Sequence, residues 1–200
     1  MLKIGITGGI GSGKTTVCKL FEIMGIPVYY ADERAKWLIS NDVLLKEKLS
    51  TAFGHEAYHH DGAYNRAYIS KVVFNDSEKL SLLNSLVHPA VFEDSEKWLV
   101  KHKEFPYIIK EAALLFESGS YKQMDRILLV EAPLEKRIDR VIKRDKVTRA
   151  SVIARMNAQW AEEKKRALAH DLIINDGTQS IVYQAYKIHH FYLKLSKEYK

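Results

Sequence analysis

Residues Ile6-Thr7-Gly8-Gly9-Ile10-Gly11-Ser12-Gly13-Lys14-Thr15-Thr16 decide the reading of this chain. Gly8 to Thr15 fits the pattern G-x-x-x-x-G-K-[ST], in which backbone N–H groups converge on a phosphate. The flanks suit such a loop. Leu2, Ile4 and Ile6 alternate as in a short buried strand, and residues 15–24 read as a helix. The glycines let the backbone curl around an anion, and the helix adds the positive end of its dipole. Lys14 can reach β- and γ-phosphates, and the Thr15 hydroxyl can ligand a Mg²⁺ ion. A glycine-rich turn that held no ligand would not require a Lys-Thr pair after the glycines. The expected ligand is a nucleoside triphosphate, held by Gly9, Gly11, Ser12, Gly13, Lys14, Thr15 and Thr16.

The rest of the chain bounds what can surround that loop. Its 200 residues suit one compact domain with room for an inserted subdomain. A hydrophobic fraction of 46% supports a core without disulfides. The single cysteine, Cys18, has no partner for a disulfide or a cysteine zinc site, and reads as a small packing residue. No signal peptide and no membrane-length apolar run are visible, so a cytoplasmic protein with no membrane partner is expected. The net charge of +6 suits anionic ligands such as nucleotides, or nucleic acid. Much of the excess lies in Lys164, Lys165 and Arg166 and in Lys194, Lys197 and Lys200, among acidic residues. Those read as solvated helix faces, and no nucleic-acid partner is expected.

Strand and helix patterns alternate, which predicts an α/β fold with a mainly parallel sheet. Five short strands are expected at 3–7, 27–30, 107–110, 126–130 and 172–174. Residues between the second and third strands show little strand character. Helices are expected there at 42–53, 76–87 and 89–103, with Pro89 opening the last as its first helical residue. That block is too long for a simple crossover and reads as a helical insertion, least regular at 54–65. Residues 138–168 are highly charged and read as two or three helices partly off the core. Ile181, Ala185, Ile188, Tyr192 and Leu195 form a helical stripe that reads as core packing. The division expected for this single domain is a core of 1–31, 104–137 and 169–200, an insertion of 32–103 and a lid of 138–168.

A phosphate loop does not say what receives the phosphate. Asp32 follows the second strand, and ligands of open parallel sheets gather at the carboxyl ends of strands. A carboxylate there can orient or deprotonate a substrate hydroxyl. It can equally cap the helix beginning near Glu33, and both readings stand. Arg137, Arg140 and Arg144 share a helix face after the fourth strand, with Arg149 beyond. They read either as a solvated face or as a lid whose guanidinium groups stabilise a transferring phosphoryl group. Glu111, ending the third strand, can hold Mg²⁺ through water, contact the substrate, or simply face solvent. The pairs His59-His60 and His189-His190 lack the spacing of metal ligands.

These residues carry a resemblance to the dephospho-coenzyme A kinase family over nearly the whole chain. The loop from Ile6 to Thr15 resembles that family's version. Ala31-Asp32 stands at its substrate-side aspartate, and Leu86-Val87-His88-Pro89 resembles its L-x-H-P element. Leu114-Leu115-Phe116-Glu117 resembles its L-L-F-E run. Arg144-Asp145, Arg155 and Ala158-Gln159 resemble its lid, and residues 169–177, ending Asn175-Asp176-Gly177, resemble its last nucleotide-side element. Tyr30, Ala113, Glu111 and Thr15 depart from the residues usual in the family. The Glu and Thr changes keep the chemistry, whereas Tyr30 and Ala113 bear on the shape of the substrate pocket.

The resemblance implies a phosphate-loop kinase fold of three layers, with a central parallel five-stranded sheet, a helical substrate-binding insertion and a helical lid. It implies transfer of the γ-phosphoryl of ATP to the ribose 3′-hydroxyl of dephospho-coenzyme A, with Mg²⁺ at Thr15. Lys14 and the loop amides would hold the triphosphate. Asp32 would orient the hydroxyl, and Arg140 and Arg144 would close over the phosphates. Asn175 and Gly177 would lie near the adenine, and His88, Glu111 and Leu115 would contact the acceptor. A rival reading from the loop alone is a kinase of a nucleoside monophosphate or another small hydroxyl acceptor. A GTPase would carry an N-K-x-D motif, which is missing from the sequence. Oligomeric state is not legible.

Overall fold

Short runs of β-branched and aromatic residues, apolar on both faces, build strands that only a two-sided sheet can bury. The strands are β1 (Leu2–Thr7), β2 (Val28–Tyr30), β3 (Tyr107–Glu111), β4 (Arg126–Glu131) and β5 (Asp171–Ile174). They form one five-stranded sheet, ordered β2-β3-β1-β4-β5, with every pairing parallel. All five expected strands are found, and the coordinates are a computed structural model describing residues 1–74 and 76–198. Lys200, counted above in the basic terminal stretch, lies outside those residues.

This strand order places β1 between β3 and β4. The chain leaves β1 toward one edge and later crosses to the other, so the end of β1 is the switch point where such sheets bind ligands. Two helices cover one face, α1 (Lys14–Ile23) and α9 (Ile181–Glu198). Val17, Cys18 and Phe21 of α1 and Ala185 and Tyr192 of α9 share a core with Leu2, Ile4, Ile6, Ile109, Leu128 and Val130. Ile181, Ile188 and Leu195 pack against that cluster, as the α9 stripe predicts. On the opposite face Gly5 leaves room for Leu115 and Met124, which would lie 2.7 and 2.9 Å from an added Cβ.

Polar groups fasten α9 to the sheet. Arg126 and Asp171 form a bidentate pair at 2.9 and 3.0 Å, and the Tyr192 hydroxyl donates to Asp171 at 2.8 Å. His189 is buried, with Nδ1 2.6 Å from the Tyr107 hydroxyl. Burial holds the imidazole below its ordinary pKa and the phenol above its own. The phenol and the imidazole thus share one buried hydrogen bond between α9 and β3.

Ala31–Lys101 folds as its own compact unit, separate from the unit of Met1–Tyr30 and His102–Lys200. It contains α2 (Ala31–Asn41), α3 (Val43–Phe53), α4 (Arg66–Val73) and α5 (Ser77–Lys101). Leu45, Leu49 and Phe53 line one face of α3 and pack with Leu38, Ala57, Ile69 and Val87. Asp42 caps α3 by accepting from Leu45 N at 2.8 Å, and Asn65 caps α4 by accepting from Tyr68 N at 3.1 Å. Arg34 of α2 and Asp94 of α5 are bidentate at 2.9 and 2.7 Å.

The break expected at Pro89 does not occur, because α5 runs continuously through it. Proline removes one helical N–H and crowds the preceding turn. Leu83, Leu86 and Val87 before it, and Ala90 and Val91 after it, pack on the same cluster, so contacts on both sides hold the helix together.

After β4 come α6 (Leu134–Asp145), α7 (Arg149–Asn157) and α8 (Glu162–Leu168). Ile138 and Val141 of α6 and Val152 of α7 form a small core that Ile10, Ile142, Val147 and Met156 complete. Lys165, read above as part of a solvated face, is instead fully buried.

Candidate active site

The phosphate loop leaves the centre of the sheet and enters α1 directly, with Gly13 just before Lys14 at φ 99°. That left-handed conformation admits glycine at no steric cost. A side chain at Gly13 would also run into the Asn175 amide. Lys14 is buried, and its Nζ donates to the carbonyls of Gly8 at 3.0 Å and Gly9 at 3.4 Å. Its ammonium thus lies against its own loop. Thr15 and Thr16 are exposed on the first turn of α1, where the helix dipole favours anions. Ser12 and Thr7 are fully buried at the base of the loop.

The loop is gripped from behind. Arg140 Nη1 donates to the carbonyls of Gly11 at 3.3 Å and Ser12 at 3.4 Å. Its Nη2 donates to the carbonyl and side-chain oxygens of Asn175, both at 3.2 Å. Asn175 Nδ2 in turn donates to Ser12 O at 2.8 Å. Glu111 is buried at the end of β3, in register with Ile6 of β1 and Tyr30 of β2. Burial, then the negative charge of Glu111, raises the Cys18 thiol well above its ordinary pKa and keeps it protonated.

This loop, set at the switch point of a parallel sheet, is the apparatus of a phosphate-loop kinase, and comparison with known proteins makes the family specific. The family model for dephospho-CoA kinase matches residues 2–180. A dephospho-CoA kinase of Bacteroides fragilis is 39% identical over 184 residues, covering 92% of this chain and 89% of its own length. One from Salinibacter ruber is 41% identical over 180 residues, covering 89% and 90%. The chain belongs to the dephospho-CoA kinase family. Its fold is similar to that of a Thermus thermophilus protein of known crystal structure, at 36% identity and TM-score 0.85, covering 95% and 96% of the two chains. It is also similar to the fold of a dephospho-CoA kinase from Campylobacter jejuni, at 24% identity and TM-score 0.71, covering 99% and 98%.

Of the residues that the resemblance to dephospho-CoA kinases singles out, the structure gathers Lys14, the loop glycines, Ser12, Arg140 and Asn175 into one hydrogen-bonded group. Gly177 follows two residues after Asn175, with φ 85°. Arg144 is elsewhere: its Nε and Nη2 donate to Asp145 at 2.7 and 3.2 Å. Arg155 shares the same carboxylate at 3.0 Å. Both arginines hold Asp145 below its ordinary pKa, Arg144 first. Arg149 pairs with Glu135 at 2.7 and 2.8 Å. Leu115 is fully buried in the core beside Gly5.

Asp32 and His88 belong to the 31–101 unit, both exposed. Because α2 begins at Ala31, Asp32 lies inside its first turn rather than ahead of it. It complements the helix dipole there, and the capping position expected from the sequence lies earlier in the chain.

Sequence reading missed a charge cluster beneath the loop. Arg137 is buried and its Nη1 donates to Glu162 at 3.1 Å. Lys165 lies 3.3 Å from Glu162 and 4.0 Å from Glu117. Glu117 also accepts from Trp160 N at 2.7 Å. Gln159 accepts from Ile10 N at 2.9 Å and donates to Ala113 O at 3.2 Å. Arg137, Glu117 and Gln159 stand out separately in the sequence, and the i, i+3 spacing of Glu162 and Lys165 is the local signal that joins two members of the cluster.

Proposed function

We propose that this chain transfers the γ-phosphoryl group of ATP to the ribose 3′-hydroxyl of dephospho-coenzyme A, completing coenzyme A. The observation that carries the reading is the family match over residues 2–180, on a chain whose phosphate loop has the backbone and lysine that the chemistry needs. The 3′-oxygen attacks the γ-phosphorus, the bond to the bridging oxygen breaks, and ADP leaves. Asp32 orients the hydroxyl and takes its proton. Lys14 and the N–H groups of the loop bind the β- and γ-phosphates, with Gly9, Gly11, Ser12, Gly13, Thr15 and Thr16 lining the cradle.

The donor set suits Mg²⁺. Among the described residues no cluster of three His, Cys, Asp or Glu side chains is placed to hold a metal. An exposed hydroxyl at Thr15 suits an ion that keeps its waters and binds mainly substrate phosphates. Thr15 would hold it directly and Glu111 through water. The ion would neutralise charge on the β- and γ-oxygens.

The insertion 32–103, with His88, serves the acceptor. The lid 138–168 closes over the phosphates with Arg144 and keeps water from the γ-phosphoryl group. The core 1–31, 104–137 and 169–200 carries the donor site. No helix among the described residues is long and apolar enough to cross a membrane, and a cytoplasmic enzyme with two small-molecule substrates fits that finding.

An acceptor panel tests the assignment. ADP release from Mg-ATP is expected with dephospho-coenzyme A and not with AMP, CMP or UMP. Asp32→Asn is expected to lower kcat by roughly 100-fold or more while ADP binding is retained. Full turnover in that variant would remove Asp32 from the reaction.

A further inference from the structure

The resemblance groups Arg140 with Arg144 as arginines that close over the phosphates. Their surroundings separate them. Arg144 lies in a carboxylate pair with Asp145. No carboxylate pairs with Arg140 among the ion pairs of the described residues. Its guanidinium instead bridges the consecutive carbonyls of Gly11 and Ser12 to both oxygens of Asn175. One turn earlier on the same face of α6, Lys136 Nζ donates to the carbonyl of Asp176. Two cations of one helix thus grip consecutive carbonyls of the loop after β5, and one of them also grips the phosphate loop.

We propose that Arg140, supported by Lys136, is a positioning residue that fastens the loop after β5 to the phosphate loop. It thereby sets the base of the donor nucleotide in register with its phosphates. This rests on the reading of the site as an ATP site with the adenine beside Asn175 and Gly177, as the resemblance implies. A guanidinium suits the task because its donors form a rigid fork that can span two backbone segments. The Ser12–Gly13 peptide is planar and trans, so its N–H points opposite to its carbonyl. Arg140 and Asn175 hold that carbonyl together and turn the Gly13 N–H toward the anion. The charge of Arg140, unmatched by a carboxylate, adds to the attraction felt by the phosphates. Both loops are shaped for this closeness. A Cβ on Gly13 would strike the Asn175 amide, and one on Gly177 would come 3.2 Å from Lys136 Nζ.

Calorimetric titration with ADP and GDP, combined with kcat, KM for ATP and thermal melting, tests the assignment on Arg140→Ala, Arg140→Lys and Lys136→Ala. Both Arg140 variants are expected to bind ADP roughly 10- to 100-fold more weakly. Their preference for ADP over GDP is expected to shrink, and KM for ATP is expected to rise by a larger factor than kcat falls. Lys136→Ala is expected to shift both quantities the same way by less. Unchanged ADP affinity with a collapsed kcat would overturn the assignment and return Arg140 to the transferring phosphoryl group. Full rescue by Arg140→Lys, with base preference intact, would also overturn it, because charge alone would then suffice. Failure of the unmodified protein to bind ADP would instead sink the ATP-site reading itself.

Discussion

Gly9 occupies a position that the phosphate-loop pattern leaves open, yet any side chain there requires Arg137 and Glu162 to move. A Cβ would collide with the Arg137 guanidinium and lie 2.6 Å from Glu162 Oε1. The constraint comes from α6 and α8, which are distant in sequence. Gly9→Ala is therefore expected to fold but to displace Arg137 and the first half of the loop, weakening ADP binding by roughly tenfold. Titration of the folded variant checks this, and wild-type affinity would show that the Arg137–Glu162 pair yields without consequence. At this scale the sequence was legible where spacing alone defines chemistry, as in Gly13-Lys14-Thr15. It was less legible where a side chain's role depends on its partner. Arg140 and Arg144 share a helix face and a charge, and only their neighbours distinguish them. Leu115 lies in a motif but points into the core.

At the scale of elements, local pattern located the strands within one or two residues because buried strands are short, apolar and bounded by turns. The α9 stripe was equally plain. Two elements resisted. Proline in α5 is a strong local stop signal, and packing on both sides of Pro89 overrides it. The Lys164-Lys165-Arg166 run reads as solvated from composition, yet Lys165 sits at 0% exposure between Glu162 and Glu117. Its burial brings it to Glu117, distant in the chain, as well as to Glu162 of its own helix, and no local window contains both. Removing one partner of a buried ionic group leaves the others uncompensated. Lys165→Met is expected to cost about 3–5 kcal/mol, lowering the melting temperature by roughly 10 °C. Pairing it with Glu162→Gln is expected to recover part of that loss. A single variant that melts within about 2 °C of the unmodified protein would contradict the view of this cluster as a coupled buried network.

For the whole molecule, alternation of strand and helix was enough to give a parallel α/β sheet, but not the order β2-β3-β1-β4-β5. That order depends on which crossovers pass over β1, a long-range choice absent from local periodicity. It is also what sets the phosphate loop at the switch point. The donor chemistry follows from the loop and its supports; the acceptor follows from family membership and from the roles proposed for Asp32 and the 31–101 unit. The most direct test is incubation of the purified protein with Mg-ATP and dephospho-coenzyme A, with the product identified by mass and by the position of its new phosphate. A product one phosphoryl group heavier, esterified at the ribose 3′-oxygen and formed one-for-one with ADP, is the expected result. ATP binding without any phosphorylated dephospho-coenzyme A, or phosphate placed on another oxygen, would contradict the assignment.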